Sequence, residues 1–197
     1  MREIILASQS QGRKEVLEKY TKFKVVPSNI YENKDYKDIK ILTMALSFEK
    51  GISISKNYED SIIISADTMV DMDGENIGKP KDYEDAYRIL NKLRGKKHRI
   101  VTGFSIISLA DNFKYTSCQE SYVEFKNFTD EELKAYLDSY EFEGKAGAYT
   151  IGGRGGLLIS SIKGDYNNII GLPIYKINEV LYKYLNVNFL WSENGKK

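Results

Sequence analysis

The sequence of 197 residues contains one cysteine and no long apolar run. A single thiol, Cys118, cannot form an intramolecular disulfide or supply a cysteine-based zinc site, and it points to a reducing compartment. A bilayer span needs about 20 consecutive apolar residues, and the first residues lack the apolar core of a signal peptide. We therefore expect a cytosolic protein that does not bind or cross a membrane.

A large net charge is also lacking, because 29 basic residues and 28 acidic ones leave only +1. No global field attracts the chain to nucleic acid, and the sequence shows no basic stripe with interleaved aromatic residues. We therefore expect no nucleic-acid partner. A local basic pocket for a small anionic ligand remains compatible with this composition.

Several catalytic motifs are missing as well. The sequence has no GxxxxGK[ST] phosphate loop and no GxGxxG after its first apolar strand. The only histidine, His98, lies at a predicted helix-to-strand junction with no nucleophile-elbow sequence nearby, so a structural role is favoured over serine–histidine catalysis.

The remaining pattern alternates short apolar strands with amphipathic helices. It predicts one mixed α/β domain over residues 1–197, with a central sheet flanked by helices and a tail from about residue 186 that frays beyond Trp191. We expect the buried strand that begins at Ile62 to stop at Ser65, which would leave Asp67 and Thr68 at a strand end.

Local signals define several further elements. Asp73-Gly74 predicts a hairpin turn, Asp82 predicts a helix start, and Thr129 with Glu132 predicts a capping box. A long helix is expected over residues 35–57, and a polar loop over residues 163–171.

The helix predicted to begin at Ser10 has an unusual first turn. Arg13 lies there although a helix N-terminus already carries partial positive charge. Serine hydroxyls, a guanidinium and free backbone N–H groups together favour a bound anion such as phosphate. The alternative is an ordinary capped surface helix with solvated cations.

Other polar residues occur at predicted element ends. They are the hydroxyl, carboxylate and cationic side chains Ser8, Ser10, Arg13, Glu32, Lys50, Asp67, Thr68, Lys79 and Lys145. This combination suits phosphate-ester or phosphoanhydride chemistry, in which Mg²⁺ takes one or two carboxylates together with substrate phosphates. Scattered surface charge is the competing interpretation.

Six sequence blocks resemble the Maf family of nucleoside triphosphate pyrophosphatases. Residues 5–15, ILASQSQGRKE, resemble the family's LASxSPRRxEL, and residues 65–70, SADTMV, resemble its ADTxV. Residues 78–80 (GKP), 95–103 (GKKHRIVTG), 145–149 (KAGAY) and 168–173 (NIIGLP) follow in the family's order. The resemblance covers residues 4–184.

This resemblance implies a reaction and a set of roles. It implies hydrolysis of a dTTP- or UTP-type nucleotide to the monophosphate and pyrophosphate, with Mg²⁺ or Mn²⁺ as cofactor and with homodimers common. The implied catalytic residues are Asp67 as proton acceptor, Lys79, Lys50 and Glu32, with Glu32 and Asp67 near the metal. The implied substrate-binding residues are Ser8, Ser10, Arg13, Thr68, Gly12, Gly152 and Lys145. The implied fold resembles the inosine triphosphatases, elongated and two-lobed with a deep cleft.

The departures from the family pattern fall at positions linked to base selection. Gly12 replaces the first of two arginines, Gln11 replaces a proline, and Gly152 replaces a glutamine, so only Thr68 remains of the implied base-reading trio. Asp165 and Arg154 are either new contacts or solvated loop residues. The alternatives are therefore a pyrophosphatase for methylated or deaminated nucleotides and a regulator of cell division that binds a nucleotide without turnover. Retention of Asp67 and Lys79 argues against the regulator.

Overall fold

The computed structural model describes residues 2–31 and 36–191, so Glu32 and the tail beyond Trp191 lie outside the described residues. The strands form one 7-stranded sheet. In chain order they are β1 (Ile4–Leu6), β2 (Lys24–Val25), β3 (Ile62–Met72), β4 (Glu75–Ile77), β5 (Lys97–Ser108), β6 (Phe113–Phe125) and β7 (Ile159–Lys163).

The sheet is mixed, with the order β2-β1-β3-β5-β6-β7 and with β4 paired to β3. Strand β1 runs parallel to both β2 and β3, whereas the β3/β4 and β6/β7 pairs are antiparallel. The predicted mixed α/β class is confirmed.

Helices connect these strands in the described ranges: α1 (Gln11–Glu18), α2 (Ile39–Ser55), α3 (Tyr83–Leu93), α4 (Asp130–Leu137), α5 (Tyr166–Ile170) and α6 (Ile174–Leu185). The predicted start signals are confirmed. Asp82 caps α3 by accepting from the Asp85 N–H, and Thr129 forms a capping box with Glu132. No helix in the described ranges has both the length and the apolar character required to cross a bilayer.

Contacts divide the chain into two compact units, and the boundaries fall inside β3, β5 and β6. Unit 1 comprises residues 1–67, 102–119 and 171–197. Its core includes Ile5, Ile54, Ile63 and Ile107, which pack α2 against the sheet. Apolar burial of this kind is the main stabilising term for such a unit.

Unit 2 comprises residues 68–101 and 120–170, and it has a core of its own. Leu90 and Leu93 of α3 pack there with Leu133 and Leu137 of α4 and with aromatic residues such as Phe125. Arg99 of β5 forms ion pairs with one acidic residue on each neighbouring strand, Asp71 of β3 and Glu120 of β6.

The predicted strand end at Ser65 is wrong, because β3 continues to Met72. Polar side chains remain in this buried strand because they have partners. The Ser65 hydroxyl donates to the Ser47 carbonyl at 2.7 Å, and Asp67 pairs with Lys50. Burial of a polar group costs little once its hydrogen bonds are made. Asp67 therefore lies within a strand rather than at its end.

The predicted hairpin turn is confirmed, and the predicted polar loop is partly wrong. Asp73 and Gly74 both have positive φ, 55° and 86°, which is the type I′ geometry that joins β3 to β4. Residues 166–170 form the short helix α5 instead of a loop. Its fully buried Asn168 donates to Ser121 of β6 at 3.0 Å, a long-range contact that local sequence does not show.

Candidate active site

The first candidate site element is the turn between β1 and α1 in unit 1. The Ser8 hydroxyl accepts from Arg13 Nη1 at 3.1 Å and from the Ser10 N–H at 3.2 Å. Arg13 Nε also donates to the Gly171 carbonyl at 2.9 Å, so the guanidinium is held in place. Three of the predicted substrate-binding residues are thus brought together, with Gly12 in the first turn of α1.

The N-terminus of α1 keeps the features of an anion site. Ser10 is the N-cap residue, as predicted, but its side chain makes no capping hydrogen bond. The first turn contains no acidic residue. Backbone N–H groups without a side-chain cap, beside a fixed guanidinium, favour a bound anion over the alternative of an ordinary capped surface helix.

The second candidate element in unit 1 is an ion pair. Lys50 Nζ of α2 lies 2.5 Å from Asp67 Oδ1 of β3, and the two side chains are only 13% and 11% exposed. Among the described residues, Asp67 Oδ2 has no hydrogen-bond partner. Strand β1 ends at Leu6 beside Ile64, and the parallel strand β3 continues through two more residues to Asp67. Because the two strands are parallel, Asp67 and Ser8 both lie toward the carboxyl-terminal end of this part of the sheet.

Close packing of α2 on the sheet makes this pair possible. A Cβ at Gly51 would lie 2.7 Å from the Ser65 hydroxyl oxygen, and a Cβ at Gly103 would lie 2.2 Å from the Thr43 carbonyl carbon. Only glycine allows such approach of helix to strand. The Ser47 hydroxyl lies 3.0 Å from the Ser105 hydroxyl, so these two polar groups between α2 and β5 form a hydrogen bond with each other.

Unit 2 holds the other predicted cations. The Gly147 N–H donates to the Gly78 carbonyl at 3.0 Å, which joins the turn that carries Lys145 to the turn that carries Lys79. Lys79 is exposed and Lys145 is half-buried. Thr68, the first residue of unit 2, is half-buried on β3 directly after Asp67.

The turn over residues 145–149 is anchored by buried aromatic and imidazole groups. The Tyr149 hydroxyl lies 2.8 Å from His98 Nε2, and the Tyr136 hydroxyl donates to the Ala148 carbonyl at 3.2 Å. Burial lowers the pKa of His98 to about 4, so its imidazole is neutral near pH 7. Burial also raises the pKa of Tyr149. These groups support the Lys145 turn rather than present a reactive atom.

The residues that depart from the family pattern have separate surroundings. The Arg154 side chain is 67% exposed and lies near Glu141, whose carboxylate accepts from the Arg154 N–H at 2.7 Å. Asp165 Oδ1 accepts from the Asn167 N–H at 2.8 Å at the start of α5. Gly152 is exposed.

Unit 1 also contains a cavity of about 730 Å³ that is separate from the predicted site residues in the described ranges. It is lined by α1 residues such as Lys14 and Glu18, together with Phe23, Phe189 and Trp191. Among the predicted site residues that the structure describes, none lines it. This cavity is therefore not the site that the sequence predicts.

Possible metal ligands are few. No group of three or more histidine, cysteine or acidic side chains could hold a metal within residues 2–31 and 36–191. Asp67 offers one carboxylate, and the second predicted ligand, Glu32, lies outside the described residues. One carboxylate with substrate phosphates is a normal donor set for Mg²⁺, so the residues fit a cation that binds with its substrate.

Sequence reasoning missed the residues that hold α2 in position. Thr43, Ser47, Gly51 and Ser55 recur at every fourth position and are all buried. Their spacing is the signal that could have identified this face, because residues four apart share one side of a helix.

Comparison with known proteins gives the family. The sequence pattern described as "Maf-like protein" matches residues 3–184. A dTTP/UTP pyrophosphatase from Clostridioides difficile (strain 630) is 40% identical over 191 residues, which is 96% of this chain and 98% of that protein. This chain belongs to the Maf-like family.

A second relative at the sequence level agrees with that assignment. A dTTP/UTP pyrophosphatase from Thermosipho africanus (strain TCF52B) is 43% identical over 185 residues, covering 91% of this chain and 92% of that protein. The solved structure of the Staphylococcus aureus Ham1 protein is 18% identical, with a TM-score of 0.42 over 64% of this chain and 73% of that chain. The expected likeness to inosine triphosphatases stays a prediction.

Proposed function

We propose that this Maf-like protein is a nucleoside triphosphate pyrophosphatase that converts a ribo- or deoxyribonucleoside triphosphate to its monophosphate and pyrophosphate. The substrates that its relatives' names indicate are dTTP and UTP. The observation that carries the proposal is the nearly buried Asp67, held by Lys50 in the same unit as the anion-binding turn of Ser8, Ser10 and Arg13.

The reaction requires a water molecule to attack the α-phosphorus. The water oxygen forms a bond to that phosphorus, the bond from the phosphorus to the α–β bridging oxygen breaks, and pyrophosphate leaves with that oxygen. Asp67 accepts the proton that the water loses. Lys50 holds Oδ1, which leaves Oδ2 as the proton-accepting atom. A carboxylate fixed in this way costs no reorganisation at the moment of reaction.

The cations serve the triphosphate. The N-terminus of α1 and the guanidinium of Arg13 provide donors for phosphate oxygens in unit 1. Lys79 and Lys145 provide positive charge in unit 2, where the Gly147–Gly78 hydrogen bond fixes their turns. Charge on the transferring phosphoryl group spreads over its oxygens, so cations of this kind lower the barrier.

A divalent cation, Mg²⁺ or Mn²⁺, completes the proposal. Asp67 and, from the sequence, Glu32 are the carboxylates that would hold it beside the phosphates. When bound, the cation neutralises phosphate charge and polarises phosphoryl oxygens. The homodimer and the cytosolic location expected from the sequence stay predictions.

The experiment is a pyrophosphate-release assay on a panel of standard, methylated and deaminated nucleoside triphosphates, with Mg²⁺ and with Mn²⁺. The test variant is Asp67→Asn, which keeps the shape of the side chain and an acceptor for Lys50. We expect turnover to fall by about 10²–10⁴. The matched control is Asp71→Asn, because Asp71 lies on the same strand, is 8% exposed like Asp67, and also pairs with a cation.

The outcomes separate the alternatives. Loss of turnover in Asp67→Asn but not in Asp71→Asn supports the assigned base. Equal loss in both variants indicates a structural effect on β3, and full activity in a folded Asp67→Asn rejects the assignment. Nucleotide binding without any turnover by the unmodified protein would favour the regulatory alternative, and highest activity on a modified base would favour the other one.

A further inference from the structure

Gly152 differs from the glycines that follow it. A Cβ at Gly153 would lie 2.3 Å from a Glu141 carboxylate oxygen, and a Cβ at Gly155 would lie 2.6 Å from the Thr150 carbonyl oxygen. These two positions are glycine because packing leaves no room. Gly152 has neither restriction, since its φ lies outside the left-handed region and only one atom lies within 4 Å of its Cβ position. Folding therefore does not require glycine at position 152.

That one neighbouring atom is the hydroxyl oxygen of Tyr166, at 3.9 Å. The Tyr166 side chain is 41% exposed, and the hydroxyl has no hydrogen-bond partner among the residues that the structure describes. A phenol group can both donate and accept a hydrogen bond. It therefore presents the kind of polar group that glycine at position 152 lacks.

The backbone that carries Tyr166 is held by hydrogen bonds and close packing. The Ser121 hydroxyl accepts from the Asp165 N–H and from the Asn168 side chain, each at 3.0 Å, and donates to the Asp165 carbonyl at 3.1 Å. Gly164, with φ of 117°, packs so closely that a Cβ would lie 2.7 Å from the same hydroxyl. The start of α5 is thus attached to β6, which limits the positions that the phenol can reach.

The loop that carries Gly152 is fixed as well. Glu141 accepts from the Arg154 N–H, and the Tyr136 hydroxyl lies 3.3 Å from the Cβ position of Gly155. Two anchored segments of unit 2 therefore place an exposed hydroxyl beside an exposed glycine. Because the backbone on both sides is held by hydrogen bonds, ligand binding there needs less ordering of the chain.

We propose that Tyr166 is a specificity-determining residue whose hydroxyl contacts the nucleobase at the place where a side chain on residue 152 would otherwise do so. The inference rests on the proposed function, because it needs a nucleotide in the site. A single phenolic hydroxyl offers one hydrogen bond, whereas a glutamine amide offers a donor and an acceptor together. We therefore expect base preference to be present but modest.

The test measures kcat and KM for UTP, dTTP, CTP and ITP with the unmodified protein and with Tyr166→Phe, which removes only the hydroxyl. For the preferred base, we expect kcat/KM to fall by about 3- to 10-fold, the effect of one neutral hydrogen bond. The change should lie in KM, because a base contact is the same in the ground and transition states. For the other bases, the change should be smaller than twofold.

The control is Tyr87→Phe. Tyr87 belongs to the same unit and is 38% exposed, but it lies on α3. Its kinetics should equal those of the unmodified protein. A rescue variant, Tyr166→Phe with Gly152→Gln, should regain preference for dTTP and UTP, since a Cβ at position 152 meets only ordinary contact.

An unchanged preference in Tyr166→Phe, or an equal loss for all four bases, would overturn the inference and leave the proposed function intact. Absence of turnover on every nucleotide by the unmodified protein would overturn both. Binding of each nucleotide, measured by calorimetry with non-hydrolysable analogues, provides a second readout. There, Tyr166→Phe should weaken affinity for the preferred base alone.

Discussion

His98 makes the fold stability of this protein sensitive to acid. The imidazole is 2% exposed, its ring packs edge-on against Phe125 and Tyr149, and Nε2 lies 2.8 Å from the Tyr149 hydroxyl. His98 Nδ1 is buried without a hydrogen bond in the described part of the chain. Burial removes the hydration that a charged imidazolium requires, so protonation of the folded state is unfavourable.

The size of the effect follows from the pKa. Burial lowers the pKa of His98 from 6.5 to about 4, and each pKa unit corresponds to about 1.4 kcal/mol. Above pH 6.5 the histidine is neutral in both states, and its contribution to stability is fully present. As the pH falls from 6.5 toward 4, the unfolded chain takes up a proton that the folded state refuses, so stability falls. The loss is about 2 kcal/mol between pH 7 and pH 5, and about 3 kcal/mol in total.

Urea unfolding at several pH values between 7.5 and 5, followed by circular dichroism, measures this loss. Carboxylates titrate mostly below this range, and His98→Gln removes the titrating group while it keeps a polar atom near the position of Nε2. We expect the free energy of unfolding of the unmodified protein to fall by about 2 kcal/mol more than that of His98→Gln between pH 7 and pH 5. Parallel pH profiles for the two proteins would refute the reasoning.

Two further predictions concern the framework of the site. Gly103→Ala should destabilise unit 1 by about 3 kcal/mol and lower turnover, because the added methyl group overlaps the Thr43 backbone of the helix that carries Lys50, and urea unfolding with the pyrophosphate assay checks both effects. Thr129→Ala should cost about 1 kcal/mol through loss of the capping box and leave kcat unchanged, because none of the candidate site residues lies on α4; reduced turnover of the folded variant would contradict this prediction.

Local chemistry was sufficient to predict many elements of the fold. The Asp73-Gly74 turn, the Asp82 cap and the capping box at Thr129 are each determined by residues a few positions apart, and all three are confirmed. The mixed α/β class followed from the alternation of strand and helix patterns.

Long-range pairing was the part that could not be predicted. The strand through Asp67 was expected to end early because its sequence becomes polar, yet its polar groups are paired with α2 residues seventeen and eighteen positions away. For the same reason α5 was expected to be a loop, since the partner of its buried Asn168 lies on β6. No local pattern contains such contacts.

The position of Asp67, the candidate general base, therefore depends on residues that take no part in the proposed reaction. One face of α2 carries only small side chains, so the helix packs directly on β3 and β5. The residues of this face are Thr43, Ser47, Gly51 and Ser55. Lys50 precedes Gly51, and Ser65, which Gly51 contacts, lies two residues before Asp67. Because neighbouring residues in a helix and alternate residues in a strand are fixed relative to one another, this contact determines where the lysine and the carboxylate meet. A larger side chain on this face would displace Lys50 and so weaken its contact with Asp67.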